Sequence, residues 1–433
     1  MSLEEAGVPS VAVHTHVFAR LARAAALANG MPRTRQAFVP QPVVDRSPAE
    51  LRAYIEGKDP VSGRPFMQEV IEGLSRPLDE EDLKGVSFER STPRLLAPDT
   101  EDNLQRLFIE NHWTDFLPVT LPTEDRVAAM LAGTSHEPGK VVGRLRPASF
   151  REFWEFTVEK VAVNAVMAGA RPEYFPVILA LAASGVTARS SSTTSMANVV
   201  VVNGPIRNEI GMNSGIGVMG PYNHANVTIG RAYNLLSQNL QGGSVPGESY
   251  MGSLGNPLAY STCLAEAEER SPWIPLHVQK GFKSGDSTVS VFFGSRYILE
   301  GYGPRATWKE KMRRTLAAGE HFPPLLVLDP IVARLFAGRG IDTKQELIDW
   351  CAENARLPAR EYWDEQWVQT LLKPLAVAGI EPYASRLEAK PDEIVGMFEP
   401  KEINVVVAGG ETQGAWKMIG ARYEKTISVD AWR

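Results

Sequence analysis

LEEAGVPSVAVHTHVFARLARAAALANG, residues 3–30, decides the fold class. Its opening carries the marks of a helix end: acids, then Ala-Gly-Val-Pro. Gly7 suits the position after the last helical residue, and Pro9 bars continuation. SVAVHTHVF (10–18) is β-branched and apolar, as a buried parallel strand should be. FARLARAAALANG (18–30) follows as a helix closed by Gly30, and QAFVPQPVV (36–44) reads as a second short strand. Helix, strand, helix, strand is the rhythm of a doubly wound sheet. Such a sheet needs several parallel strands, and only two are visible here. A domain rarely opens at this point of the pattern, which raises the question of what precedes the strand and where it lies.

Outward from this segment the pattern changes. Residues 58–118 are polar and proline-broken (KDPVSGRPF, LSRPLDEEDLKG, RSTPRLLAPDTEDN). They predict an extended arm with short helices, lying on another surface. Residues 119–433 read as a larger α/β domain. TLPTEDRVAAMLAG (120–133), FREFWEFTVEKVAVNAVMAGA (150–170) and RPEYFPVILALAASG (171–185) predict helices. NVVVVNG (198–204), STVSVFFG (287–294) and PPLLVLDP (323–330) predict strands. EKMRRTLAAG (310–319), IVARLFAGRG (331–340) and residues 343–378 predict helices, and INVVVAGGETQGAWKMIG (403–420) a strand, a glycine turn and a helix. NVVVVNGPIRNEIG (198–211) and NVVVAGGETQGAWKMIG (404–420) share an Asn, a valine strand and a glycine turn; internal duplication or chance among valine strands accounts for this. The organisation is thus a partial doubly wound domain (1–57), an arm (58–118) and a larger α/β domain (119–433).

Composition narrows the function classes. The chain has 433 residues, 44% hydrophobic and 22% charged, with net charge −6 and a pI near 5.8. That is ordinary globular composition. No basic block favours nucleic acid, and no apolar run reaches the ~18–20 residues that span a bilayer. The two cysteines, Cys263 and Cys351, make no disulfide framework. A cytoplasmic protein is expected, with neither nucleic acid nor membrane as partner.

Three segments offer chemistry. In a strand, His14 and His16 share a face near the carboxyl end, where open α/β sheets bind ligands. With a third ligand they could hold a metal; otherwise one is a core histidine and one a cap. Cofactor use stays open between none and a metal ion. The loop NGPIRNEIGMNSGIGVMGPYNHAN (203–226) is rich in glycine and polar groups. Glycine lets the backbone approach a ligand, Arg207 can hold a carboxylate bidentately, and Asn213, Ser214, Asn223 and Asn226 can orient a small molecule. His224 opens a helix there, whose N-terminus favours an anion. The spacing is neither a P-loop nor a dinucleotide fingerprint. CLAEAEERSPWIPLHVQKGF (263–282) brings Glu266 near His277, a possible acid–base pair. Glu268 and Glu269 read as solvated, and Cys263, without a neighbouring cation, as a buried structural thiol. The turn AGGETQG (408–414), through Gly409 and Gly410, could complete a cleft with the 203–226 loop.

The opening segment resembles the C-terminal half of the UGSC family, named for a Sec/Cys-Gly-Ser-Cys motif. That family's strand–motif–helix–strand plan is similar to the selenoprotein B plan of glycine, sarcosine and betaine reductases. NHWTDFLPVTLPTEDRVAAMLAG, EKVAVNAVMAGARPEYFPVILA, VNGPIRNEIGMNSGIGVMGPYNHANVTIGRA and INVVVAGG resemble a domain associated with it. The motif itself is absent here, and Ala170 stands where relatives often carry cysteine. The resemblance implies a smaller partner subunit bearing a (Sec/Cys)-Gly-Ser-Cys-like motif, whose loop would face His14, Thr15 and His16 across the sheet edge. The chain would then be the large subunit of a hetero-oligomeric enzyme acting on a carbon–heteroatom bond of a small polar metabolite. The partner would supply the thiol, and His16, His224, Glu266 or His277 would move protons. An acid–base or metal-dependent lyase or hydratase, and a non-catalytic scaffold, are the alternatives.

Overall fold

The computed structural model describes residues 2–28, 31–83, 93–145, 154–188, 196–240, 247, 250–256, 262–295, 297–303, 306–319 and 322–433. In the N-terminal segment β1 (Ala12–Thr15) and β2 (Gln36–Val39) pair in parallel across the helix Ala19–Ala28, as the opening pattern predicts. Among the described residues they form a two-stranded sheet. The helix Phe66–Ser75 lies against it so closely that a Cβ on Gly73 would come within 2.4 Å of Val11 Cγ2. Arg35, buried beside β2, donates to the carbonyls of Gly73 (2.6 Å), Arg76 (2.6 Å) and Pro77 (2.9 Å) and pairs with Asp82 at 3.1 Å. Asp59 accepts from Phe38 N at 2.7 Å. The first part of the arm is thus fastened to the N-terminal sheet. The later part joins the large domain: Phe108 enters that domain's core, and Asp115 pairs with Arg231 at 2.9 Å.

Among the described residues the large domain contains two four-stranded sheets. One runs β6 (Cys263–Ala265), β5 (Ala197–Asn203), β7 (Thr288–Ser295), β14 (Arg422–Ser428). The other runs β12 (Asn404–Val407), β9 (Pro324–Leu328), β13 (Ala415–Gly420), β8 (Ile298–Tyr302). Smaller antiparallel pairs are β3 (Val141–Leu145) with β4 (Trp154–Thr157), and β10 (Arg356–Pro358) with β11 (Ile394–Gly396). In each large sheet the first two strands are parallel and the next two joins antiparallel.

Strand alternation builds four layers. Val199 and Val201 of β5 meet Leu325 and Val327 of β9 and Val406 of β12 between the sheets. Val200 and Val202 face the helices Val158–Met167, Phe175–Ala183 and His224–Leu240. Leu326, Leu328, Val405 and Val407 face the helices Trp308–Ala317, Pro330–Ala337 and Lys344–Asn354. Helices, sheet, sheet and helices are stacked in that order.

The two sheets are copies in topology. β5, β6, β7 and β8 correspond in order and orientation to β9, β12, β13 and β14, and each fourth strand completes the other copy's sheet. The sequence likeness between 198–211 and 404–420 matches different members: the counterpart of β5 is β9, and β12 is the counterpart of β6. Two expected helices change character. Within 150–170 the described part begins with strand β4, and the helix starts only at Val158, where Thr157 accepts from Lys160 N. AWKMIG is strand β13, because Trp416 and Met418 alternate onto the helical layer while Ile419 faces the other sheet.

Candidate functional site

The two glycine turns meet at the carboxyl ends of β9 and β12. Gly409 N donates to Ser214 O at 3.0 Å. Arg270 joins both loops, donating to Gly409 O at 2.8 Å and Ser214 O at 2.9 Å. Gly410 is required by contact: a Cβ there would stand 2.2 Å from Ile216 Cγ1. Between the loops lies a cleft of about 430 Å³ lined by Gly217, Met219, Glu300, Asp329, Gln413 and Lys417 among others. Such a volume suits a small molecule. Its charged wall is a cross-strand pair: Lys417 on β13 stands opposite Glu300 on β8, Nζ to Oε2 2.5 Å. The Lys417 hydrogen bond holds the Glu300 carboxyl below its ordinary pKa. Asp329 ends β9 and accepts from Ile331 N and Glu411 N, both at 2.9 Å, which pins the 408–414 turn.

The asparagines of the 203–226 loop shape it from within. Asn226 accepts from Asn213 N (3.0 Å) and donates to Asn213 O (2.9 Å). Asn213 donates to Ile216 O and to Asn223 Oδ1, and Asn223 to the carbonyls of Gly217 and Gly220. Ser214 takes Arg270. These side chains set the cleft wall, while the glycines of the same loop line it. His224 is exposed, with its ring 5.8 Å from that of Tyr174.

Arg207, Glu266 and His277 lie elsewhere, at the carboxyl ends of β5 and β6. Expected to meet substrate, they meet protein. Glu266 is completely buried. Its Oε1 takes Lys344 Nζ at 2.5 Å and Val407 N at 3.3 Å. Its Oε2 takes Asn203 Nδ2 and Leu276 N, both at 2.7 Å. One carboxylate therefore ties β5, β6, β12 and the Lys344–Asn354 helix together. Arg207 holds Glu269 at 2.7 Å and Glu268 at 3.1 Å and donates to Glu266 O. His277 is buried, 3.9 Å from Glu268 Oε1, with neither ring nitrogen hydrogen-bonded among the described residues. Glu268, expected to be solvated, is the largely covered centre of this cluster.

By the topological correspondence this cluster is the counterpart of the cleft. Asn203 corresponds to Asp329, and Glu266 and Glu268 to Ala408 and Gly410. In one copy two glutamates fill the strand ends; in the other Ala408 and Gly410 leave them open. Glu300, Asp329, Lys417 and Arg270 escaped the sequence reading because they come together only when strands from both copies pair. The Asp-Pro step ending β9 was the available signal, since it matches the polar strand end at Asn203.

In the N-terminal segment β1 ends at Thr15, and His16 opens the short helix His16–Phe18. Strand alternation therefore stops one residue before His16. His14 lies 6.1 Å from the Phe38 ring, centroid to centroid, and burial lowers its pKa. Thr15 Oγ1 and His16 Nδ1 are buried without hydrogen-bond partners among the described residues. Val13 and Val17 are 51% and 43% exposed, so this edge presents apolar surface. Among the described residues no group of three His, Cys, Asp or Glu is placed to hold a metal ion, and no helix is long and apolar enough to cross a membrane. Cys263 and Cys351 are buried, and burial pushes both thiols far up from their ordinary pKa.

Comparison with known proteins bears on the first of these regions. No curated protein and no solved structure matches the chain significantly. Residues 1–59 match the model of the UGSC family. The match covers β1, the helix Ala19–Ala28, β2 and the helix Pro48–Glu56. The N-terminal segment, with the strand that carries His14 and Thr15, is thus similar to the UGSC family.

Proposed function

We propose that the chain is the large subunit of a hetero-oligomeric enzyme acting on a carbon–heteroatom bond of a small polar metabolite. The cleft between the 213–220 and 408–414 loops carries this reading. It is of metabolite size, offers Lys417 and Glu300 as opposite charges, and lies outside the carboxyl ends of parallel strands, where α/β sheets bind ligands. The reactive thiol comes from a smaller partner, because a thiolate is needed for nucleophilic attack and both cysteines here are buried with raised pKa.

The partner adds its strand beside β1. A two-stranded parallel sheet leaves edges open, parallel sheets are normally covered on both faces, and Val13 and Val17 are exposed at this edge. The partner's motif loop then lies against Thr15 and His16, whose buried polar atoms lack partners among the described residues. The complex works in the cytoplasm. The test is co-expression with a small protein bearing a C-G-S-C-like motif. A stable complex lost on Val13→Asp supports the reading. A chain that stays monomeric beside that protein while turning over substrate would refute the shared site. Lys417→Ala, made in the complex, should weaken substrate binding; unchanged kinetics would remove the cleft from the reaction.

A further inference from the structure

We infer that Glu4 is the receptor for an arginine side chain of the partner subunit. The inference rests on the shared N-terminal domain proposed above and names the chemistry that completes it. Glu4 lies in the short helix Ser2–Glu5, which leads through the Gly7 turn into β1. Gly7 N donates to Glu4 O and Val8 N to Leu3 O, both at 2.9 Å, so the turn satisfies its own backbone. Its side chains are the wrong way round. Glu4 is 2% exposed, whereas the apolar Leu3 and Val8 of the same turn are 58% and 49% exposed.

Both carboxylate oxygens of Glu4 are buried without a hydrogen-bond partner, and Glu4 has no ion pair among the described residues. A charge taken out of water needs a counter-charge or hydrogen bonds. The buried cation of this unit does not supply one. The Arg35 guanidinium is committed to the carbonyls of Gly73, Arg76 and Pro77 and to Asp82. Its Nε is itself buried without a partner, so it does not reach Glu4.

The surface of the same unit is uncovered. Twelve of the twenty-six large apolar side chains exposed among the described residues fall within residues 3–74. They include Val13 and Val17 of the β1 region, and Ile71 and Leu74 on one face of the helix Phe66–Ser75. Thr15 Oγ1 and His16 Nδ1 are further buried groups without partners there. Unsatisfied polar atoms and bare apolar surface thus coincide in one unit. A partner that buries this surface keeps water from the Glu4 charge, so it must bring the counter-charge itself. Two free oxygens accept the parallel N–H pair of a guanidinium, whereas a lysine ammonium acts as a point charge. Arginine is therefore the fitting residue.

The test compares the free chain with its complex with the small protein bearing the C-G-S-C-like motif. In the free chain Glu4→Gln and Glu4→Leu should raise the urea midpoint, because each removes an uncompensated buried charge. In the complex Glu4→Gln should weaken association roughly ten- to a hundredfold by calorimetry. One arginine of the small protein, changed to glutamine, should show the same loss, and the two changes together should weaken binding little more than either alone. If the unmodified chain does not bind that protein, the shared domain and this inference fall together. If it binds and Glu4→Gln binds as tightly, the arginine receptor is overturned while the shared domain stands. A midpoint lowered by both substitutions in the free chain would overturn it too, since the carboxylate would then be compensated within its own chain.

Discussion

Lys344→Met tests whether the Glu266 carboxylate joins the two sheets. Both side chains of the pair are fully inaccessible, Nζ to Oε1 2.5 Å. Breaking a buried pair from one side costs ~3–5 kcal/mol, because the other charge is stranded. The two ends are not equivalent. Without Lys344, Glu266 keeps Asn203 Nδ2, Leu276 N and Val407 N, so the loss should fall near the lower end, about 3 kcal/mol. Without the carboxylate charge, in Glu266→Gln, the ammonium has only an amide oxygen beside it, so the loss should approach about 5 kcal/mol. The double variant strands no charge, and the pair should then show strong coupling: its loss should be smaller than either single loss. Urea unfolding at equilibrium measures all three. With an m-value of about 3 kcal/mol/M, a 3 kcal/mol loss moves the midpoint down by about 1 M. A Lys344→Met loss below about 1 kcal/mol, or additive single losses, would refute the junction argument.

Further outcomes follow from other contacts. Gly410→Ala places a Cβ 2.2 Å from Ile216 Cγ1 and 2.6 Å from Ile216 Cα; it should lower the melting temperature, and Ile216→Gly in the same chain, which leaves the Cα in place, should restore only part of it. The Arg207 hydrogen bond holds Glu269 down at about 2 from an ordinary 4.5. A depressed carboxylate stabilises fully above its unfolded pKa and loses that stabilisation as pH falls through the folded one, so acid titration of stability between 4.5 and about 2 should be shallower in Glu269→Gln. Glu269 is largely solvent-exposed, which keeps the effect modest. Cys263 and Cys351 are buried, so a thiol reagent should modify neither in the native protein and both after unfolding; rapid native labelling would contradict the assignment of the thiol to a partner. His16→Ala in the complex separates three roles: lost turnover without dissociation marks catalysis, lost bound metal marks ligation, and a lowered melting temperature with full activity marks packing.

The N-terminal unit could be read from the sequence because its signals are local. Gly7 and Pro9 end a helix and VAVHT is β-branched, and neither signal needs a distant partner to act; Gly30, expected to close the next helix, lies outside the described residues. The valine strand at 198–203, the helix at 175–183 and the glycine loop leading into His224–Leu240 were legible for the same reason. Even the meeting of the 203–226 and 408–414 turns could be anticipated, since glycine density at strand ends marks close backbone approach. AWKMIG misled because its apolar residues fit either period until its neighbours are known; β8 and β9 on its two sides make it a strand.

What only the tertiary structure decided is which polar residues face a ligand and which face each other. In the sequence Glu266 and His277 look like an acid–base pair and Arg207 like a substrate ligand, and nothing marks Glu300, Asp329 or Lys417. Strand pairing reverses this. β6 brings Glu266 to Lys344, 78 residues away, in a space closed on every side, whereas β13 and β8 bring Lys417 to Glu300, 117 residues away, at the wall of an open cleft. Hydrophobic periodicity reports the face a residue turns to, and it is fixed within a few neighbours along the chain. Whether that face is then covered depends on the copy of the fold stacked against it, which no local pattern encodes.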